Sequence, residues 1–307
     1  MNRQVEVILG IPSKLSSSSP ATIPSMEPEL PPGASATKLF EDKTPNATIL
    51  NRILLNSLNV AAHDDLPDAD GSDLIDLIVL LSRKLLSVWT HLQAYQVHET
   101  ALAEQAAAWP VTKREYSQDL YEEFDVFSVQ IKSTLDHLVQ VLRPILGRSK
   151  WTMYSFGDKG ERVLASLQRN TSKHHAGHVR MMEHYLFGEN NKGWLAMIIN
   201  ARDQVNHGMA GGMKIQRFAV YRDAAGTVHL PMWNPEQRLG AAMVIGWENL
   251  FRYVEDFIVL GINFRLKPEY GLVRTEMPLT SPVPSWTLTT RQAVDEFMRT
   301  HTPSKTI

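Results

Sequence analysis

With 307 residues, 43% of them hydrophobic and 21% charged, the chain is long enough for one or two domains with a sizeable core. A formal charge of −2 excludes a globally basic polyanion binder, so any nucleic-acid site must be a local patch. The absence of cysteine excludes disulfides, thiolate metal sites and cysteine nucleophiles, and it fits a reducing compartment.

Residues 1–70 read as a flexible N-terminal region. Val5 to Ile11 is a short apolar run followed by Lys14 and a serine cluster, not by a signal-peptide cleavage site. Prolines at 12, 20, 24, 28, 31, 32 and 45 mark a segment that cannot bury enough apolar area to offset its chain entropy. Asn51 to Val60 is a short helical candidate inside it, and His63 to Ser72 an acidic linker.

Residues 71–266 carry the expected bundle. Ser72 or Asp73 is placed to cap a helix in which Leu74, Leu77, Ile78, Leu81, Leu85, Val88, Leu92 and Tyr95 recur at three- and four-residue steps. That helix runs towards residue 108, before Pro110. Phe124, Phe127, Ile131, Leu135, Leu138 and Leu142 form the next stripe, closed by Pro144 and Gly147. Shorter helices are predicted at 160–167 and 178–187, then a longer one from Trp194 to Val205 that Gly208 stops. Two β-like runs, Gln216 to Arg222 and Thr227 to Met232, flank Ala225-Gly226 and predict a hairpin insert at about 213–232. A last long helix is read over 236–264. Residues 267–307 form a proline- and threonine-rich tail with one short helical candidate at 291–300. The fold class is thus all-α in the main: an antiparallel four-helix-type bundle with a β-hairpin insert. No stretch approaches the roughly 20 apolar residues of a membrane span, so no membrane partner is expected and the cytoplasm is the default location.

Chemistry concentrates at Ala201-Arg202-Asp203-Gln204-Val205-Asn206-His207-Gly208. Arg202 lies four residues after Ile198 and three before Val205, on the apolar stripe. A permanently charged guanidinium there requires a carboxylate, a phosphate or a partner subunit to meet it. His207 stands where the helix should end, free to act as acid or base. Cleavage of RNA through its 2′-hydroxyl needs a base, an acid and a cation for the phosphate, roles that a histidine and an arginine can share. Five residues of ideal helix rotate about 140°, so the two side chains meet only if the helix frays or if a two-fold dimer lines one cleft with both pairs. In the nuclease reading Asp203 and Asp136 support the pair; the structural alternative has Arg202 paired with a core acid such as Asp136 while His207 caps the helix.

The surroundings extend the motif. Tyr121-Glu122-Glu123-Phe124-Asp125 opens the helix that carries Asp136; Ser155-Phe156-Gly157, a short helix and Trp194 follow, then the arginine–histidine helix end. This order resembles the HEPN superfamily over about residues 75 to 265. The resemblance implies a metal-independent endoribonuclease of a toxin–antitoxin or defence system, dimeric with the motif at the interface, or an inactive relative that binds a protein partner or a nucleotide. It implies Arg202 and His207 as catalytic residues, with Asp203 beside the arginine, where many active members carry asparagine or histidine. No cofactor is implied, and an antitoxin or other neutralising protein would be the partner.

RNA steering is expected from the stretch 143–180, where Arg143, Arg148, Lys150, Lys159, Arg162, Arg169, Lys173 and Arg180 stand against only Asp158 and Glu161. Trp151 and Tyr154 are candidate base-stacking rings. The structural alternative is a solvated loop. His174 and His178 are four apart with Glu183 near, but Gly177 weakens a helix there, and no metal site is assigned. No phosphate-binding glycine loop or nucleophile elbow is present.

Overall fold

In a computed structural model of the chain, the described residues are 48–157, 160–207, 215–294 and 296. They are mainly helical, with three small antiparallel sheets. A π-helical turn, Ile49–Leu55, runs directly into α1 (Asn56–Ala61). Helix α2 spans Asp68–Ala106, strand β1 Arg114–Tyr116 and helix α3 Gln118–Leu146. Three helices follow: α4 (Glu161–Asn170), α5 (Ala176–Leu186) and α6 (Glu189–His207). Short strands β2 (Ala219–Arg222), β3 (Val228–His229), β4 (Met232–Asn234) and β5 (Gln237–Arg238) lead into α7 (Leu239–Ile262). The hairpin of β6 (Tyr270–Arg274) and β7 (Trp286–Thr290) comes last.

The core forms around α7. Every residue from Tyr253 to Ile262 is buried, and a helix that is apolar on all sides has to be enclosed by others. The apolar stripes of α2 (Leu74, Ile78, Leu81, Leu85, Val88, Leu92), α3 (Phe124, Phe127, Ile131, Leu135, Leu138, Leu142) and α6 (Leu195, Ile198, Ile199) supply the enclosure. No described helix is long and apolar enough to cross a membrane.

Several expectations shift. Helix α2 begins at Asp68, five residues before the predicted cap, with Pro67 ahead of it and Asp68 and Asp70 in the first turn, where carboxylates favour the helix dipole. Pro144 does not end α3; the helix runs through it to Leu146, and Gly147 closes it at φ 96°. The Arg265 guanidinium meets the frayed carbonyl of Ile145 at 2.9 Å. The hairpin insert is present as β2–β3, with Tyr221 opposite His229, and β1 pairs along its other edge to make a three-stranded sheet. Both regions set outside the bundle contribute to its packing. Ile49, Ile53 and Val60 are fully buried, and β6–β7 brings Trp286 against the core.

The join between those ends is ionic. Arg52, with no exposure, donates from Nη2 to Glu255 Oε2 at 2.5 Å and from Nε to Oε1 at 3.1 Å. Its remaining donors reach Pro278 O at 2.9 Å and Ser285 Oγ at 2.7 Å. Glu255 Oε1 also accepts the Ser285 backbone N–H, and the next acid, Asp256, accepts Trp286 Nε1 at 2.7 Å. A buried guanidinium with a hydrogen bond on each of its nitrogens is tolerable where an unbonded one is not.

Candidate functional site

The arginine–histidine motif lies in the second half of α6. Its helix reaches His207, as expected from Gly208, and it does so on regular backbone, so the five-residue separation keeps its rotation of about 140°. The His207 side chain lies outside the described residues. Arg202 is half-buried, and its Nη1 donates to Asp203 Oδ1 at 2.8 Å. Its Nε is buried and has no acceptor. On α3, Asp125 stands close enough for its charge to be felt: burial raises the Asp125 carboxyl above its ordinary value, and Arg202 pulls it back down. Asp125 Oδ1 is buried without a donor as well. Two opposite charges, one on each helix, thus meet without a hydrogen bond between them.

Asp136 is occupied elsewhere. Its Oδ1 accepts from Lys132 Nζ at 2.5 Å, Ser155 Oγ at 3.0 Å and the Phe156 N–H at 2.8 Å, so it fastens the Ser155-Phe156-Gly157 segment to α3. Asp125, about two turns inside the start of α3, is the acid that faces Arg202, where the sequence reading offers Asp136.

The basic stretch separates into different environments. Arg162, Arg169, Lys173, Arg180 and Lys150 are exposed. Arg148 is held by ion pairs with Asp70 and Asp73 of α2, and Arg143 lies 5.4 Å from the centre of the Tyr154 ring. Lys159 lies outside the described residues. Trp151 is not available to a base: it is fully buried, with Nε1 donating to Val139 O at 2.9 Å. Tyr154 is exposed and remains so placed. Among the described residues no three histidine or acidic side chains are grouped to hold a metal ion. His178 packs its ring against His175 and Phe264, and burial pushes its pKa down, with positive neighbours His175 and Arg291 adding to the effect.

The sheet supplies a feature the sequence did not suggest. Register aligns Arg114, Tyr221 and His229 across β1, β2 and β3. The Tyr221 ring stacks on His229 at 4.6 Å with 8° between planes, and Arg114 covers Tyr221 at 4.8 Å. Asp223 fixes the imidazole through Nε2 at 2.9 Å. Tyr116 stands two residues from Arg114 on the same strand and is half exposed. Three residues of β1 carry too little alternation to be read as a strand, which hid the ladder.

What these observations define is a predominantly helical protein with a central apolar helix and a partly uncompensated cation on α6. No protein-family model, curated protein or solved structure matches the chain.

Proposed function

We propose that the chain is a HEPN-like bundle acting as a metal-independent endoribonuclease, with Arg202 holding the scissile phosphate and His207 transferring protons. The observation that carries this reading is the Arg202 guanidinium, half-buried with its Nε lacking any acceptor. A phosphate oxygen is the group that such a donor accommodates best. Because α6 is regular through residue 207, the imidazole that serves one Arg202 comes from a second copy, so the active form is a two-fold homodimer. The Arg114–Tyr221–His229 ladder and the exposed cations of 143–180 favour single-stranded RNA, whose bases stack on rings and whose backbone follows positive charge. An antitoxin-type protein would compete for the same cleft.

Replacing His207 with Ala tests this. Cleavage of a single-stranded RNA by the wild-type chain should fall by at least about 100-fold, with Tm unchanged within a degree. Cleavage that survives the substitution, or a wild-type chain that leaves RNA intact at every concentration, overturns it. The second reading is a non-catalytic module that binds a protein partner or nucleotide. It is favoured by the Asp203 and Asp125 carboxylates, which already offset much of the Arg202 charge.

A further inference from the structure

A cleft of about 520 Å³ opens at the opposite end of α6. Glu189, Asn190 and Asn191 from the start of α6 border it, as do Asn249, Arg252, Tyr253 and Asp256 from α7 and Arg274 from β6. Along the helix axis, the eleven residues from Asn191 to Arg202 span roughly 17 Å, so this is not the motif site. Its size lies in the range of about 300–1,000 Å³ typical of small-molecule sites.

Three side chains on its walls carry a donor that makes no hydrogen bond. Tyr253 is 2% exposed, and its buried hydroxyl makes no hydrogen bond. A phenol in such a position loses its water and gains nothing in return unless an acceptor arrives. The Arg274 Nε is likewise buried without a hydrogen bond; its nearest carboxylate oxygen, Asp256 Oδ1, stands 3.5 Å away and already accepts from Trp286 Nε1. Arg252 is exposed at the mouth and has no ion pair or hydrogen bond among the described residues. Of the acids around the cleft, buried Asp256 and the rim residue Glu276, 92% exposed, pair with Arg274 at 3.5 and 3.7 Å, and Glu189, 87% exposed, is paired with Lys192, which leaves Arg252 as the unengaged cation among the described residues of the cleft. Aromatic surface completes the wall: Tyr185 lies edge-on to Trp286 at 5.7 Å, with the Arg274 guanidinium 4.9 Å from the Tyr185 ring centre.

We propose that this cleft binds the phosphoryl group of a small phosphate ester, a mononucleotide in size, through Arg252, Arg274 and the Tyr253 hydroxyl. A carboxylate presents two coplanar oxygens. A phosphoryl group presents three in a tetrahedral arrangement, which suits donors arriving from one helix and a strand. Inorganic phosphate would satisfy the same donors but leave most of the volume empty, whereas a nucleoside moiety fills it and meets the Tyr185 ring and the Asn249 amide. The site needs neither Arg202 nor catalysis.

Isothermal titration of the full chain with uridine 5′-monophosphate, uridine and inorganic phosphate tests the assignment. The monophosphate should bind and the nucleoside should not. Arg252→Ala and Tyr253→Phe should each weaken binding by about ten-fold or more, since each removes one hydrogen bond to a charged group. Arg252 is exposed, so its variant folds whatever the fate of the other, and Arg202→Ala should leave binding unchanged while altering RNA cleavage. Equal affinity for inorganic phosphate supports the phosphoryl site with the free ion as its occupant. An absence of heat with both phosphates, or affinity unaltered in both variants, overturns the proposal.

Discussion

A guanidinium keeps its charge wherever the chain carries it, so the neighbourhood has to adapt. Around Arg52 every nitrogen finds an acceptor in a carboxylate, a hydroxyl or a carbonyl. Around Arg202 the adaptation is partial, and its Nε is left without an acceptor. Glu99 on α2 is a third case. Burial raises its carboxyl above the ordinary value of 4.5, opposed by Arg238, by Tyr95 and by the Gly240 N–H at the start of α7. A carboxyl with an elevated folded-state pKa holds its proton more tightly folded than unfolded. Stability therefore falls as pH rises from the ordinary carboxyl range through the elevated value. Glu99→Gln keeps an acceptor for Gly240 and removes the titration, so the Tm of the variant should gain on that of the wild type between pH 4.5 and 8; a constant difference would refute this. Gly160, at φ 72°, has no room for a side chain: a Cβ would lie 2.6 Å from Phe156 Cζ and 2.7 Å from Phe187 Cε1. Gly160→Ala should cost about 1–3 kcal/mol in urea titrations.

At the level of elements, periodicity was a good guide wherever a helix keeps one face to the core. The stripes of α2 and α3 were legible to within a few residues at most ends, because three- and four-residue spacing has no other explanation over so many turns. The turn at Ile49–Leu55 was harder. A π-helix advances its faces differently from an α-helix, so the arginine at 52 gave no sign that it points inward. The complementary signal stood at Glu255-Asp256, two acids amid the apolar run of α7, and it went unread because the cation that answers Glu255 lies 203 residues away while Arg252 stands nearby on the same helix. The pair is testable as a unit. Arg52→Met or Glu255→Leu alone should lose about 3–5 kcal/mol, whereas the two together should lose much less than the sum. Additive losses in that cycle, measured by denaturant unfolding, would contradict a coupled buried pair.

Across the whole molecule, the limits drawn from composition proved too narrow. Proline and threonine marked residues 267–307 as a tail, yet β6–β7 pairs over five residues each and delivers Trp286 to Asp256 and to the Tyr185 ring. Composition reports average burial and misses one well-placed tryptophan. Ending the chain after Lys267 should therefore lower Tm by on the order of 10 °C, the scale expected when a buried tryptophan is lost; an unchanged Tm would show the hairpin to be ornamental. The candidate sites divide the same way. Arg202 was legible from six letters, while Asp125, the strand ladder and the cleft by Tyr253 depend on residues far apart in sequence that only packing brings together.

The clasp on Arg52 joins residues separated by 203 to 233 positions. A ribosome that has just emitted the first helical turn must go on to make Ser285 before that cation finds its full set of acceptors. Until then the guanidinium stays solvated, and burying it early would trap a naked charge. The fold around Arg52 is accordingly completed only once residues 278–285 are in place, and it is paced by closure of a long loop.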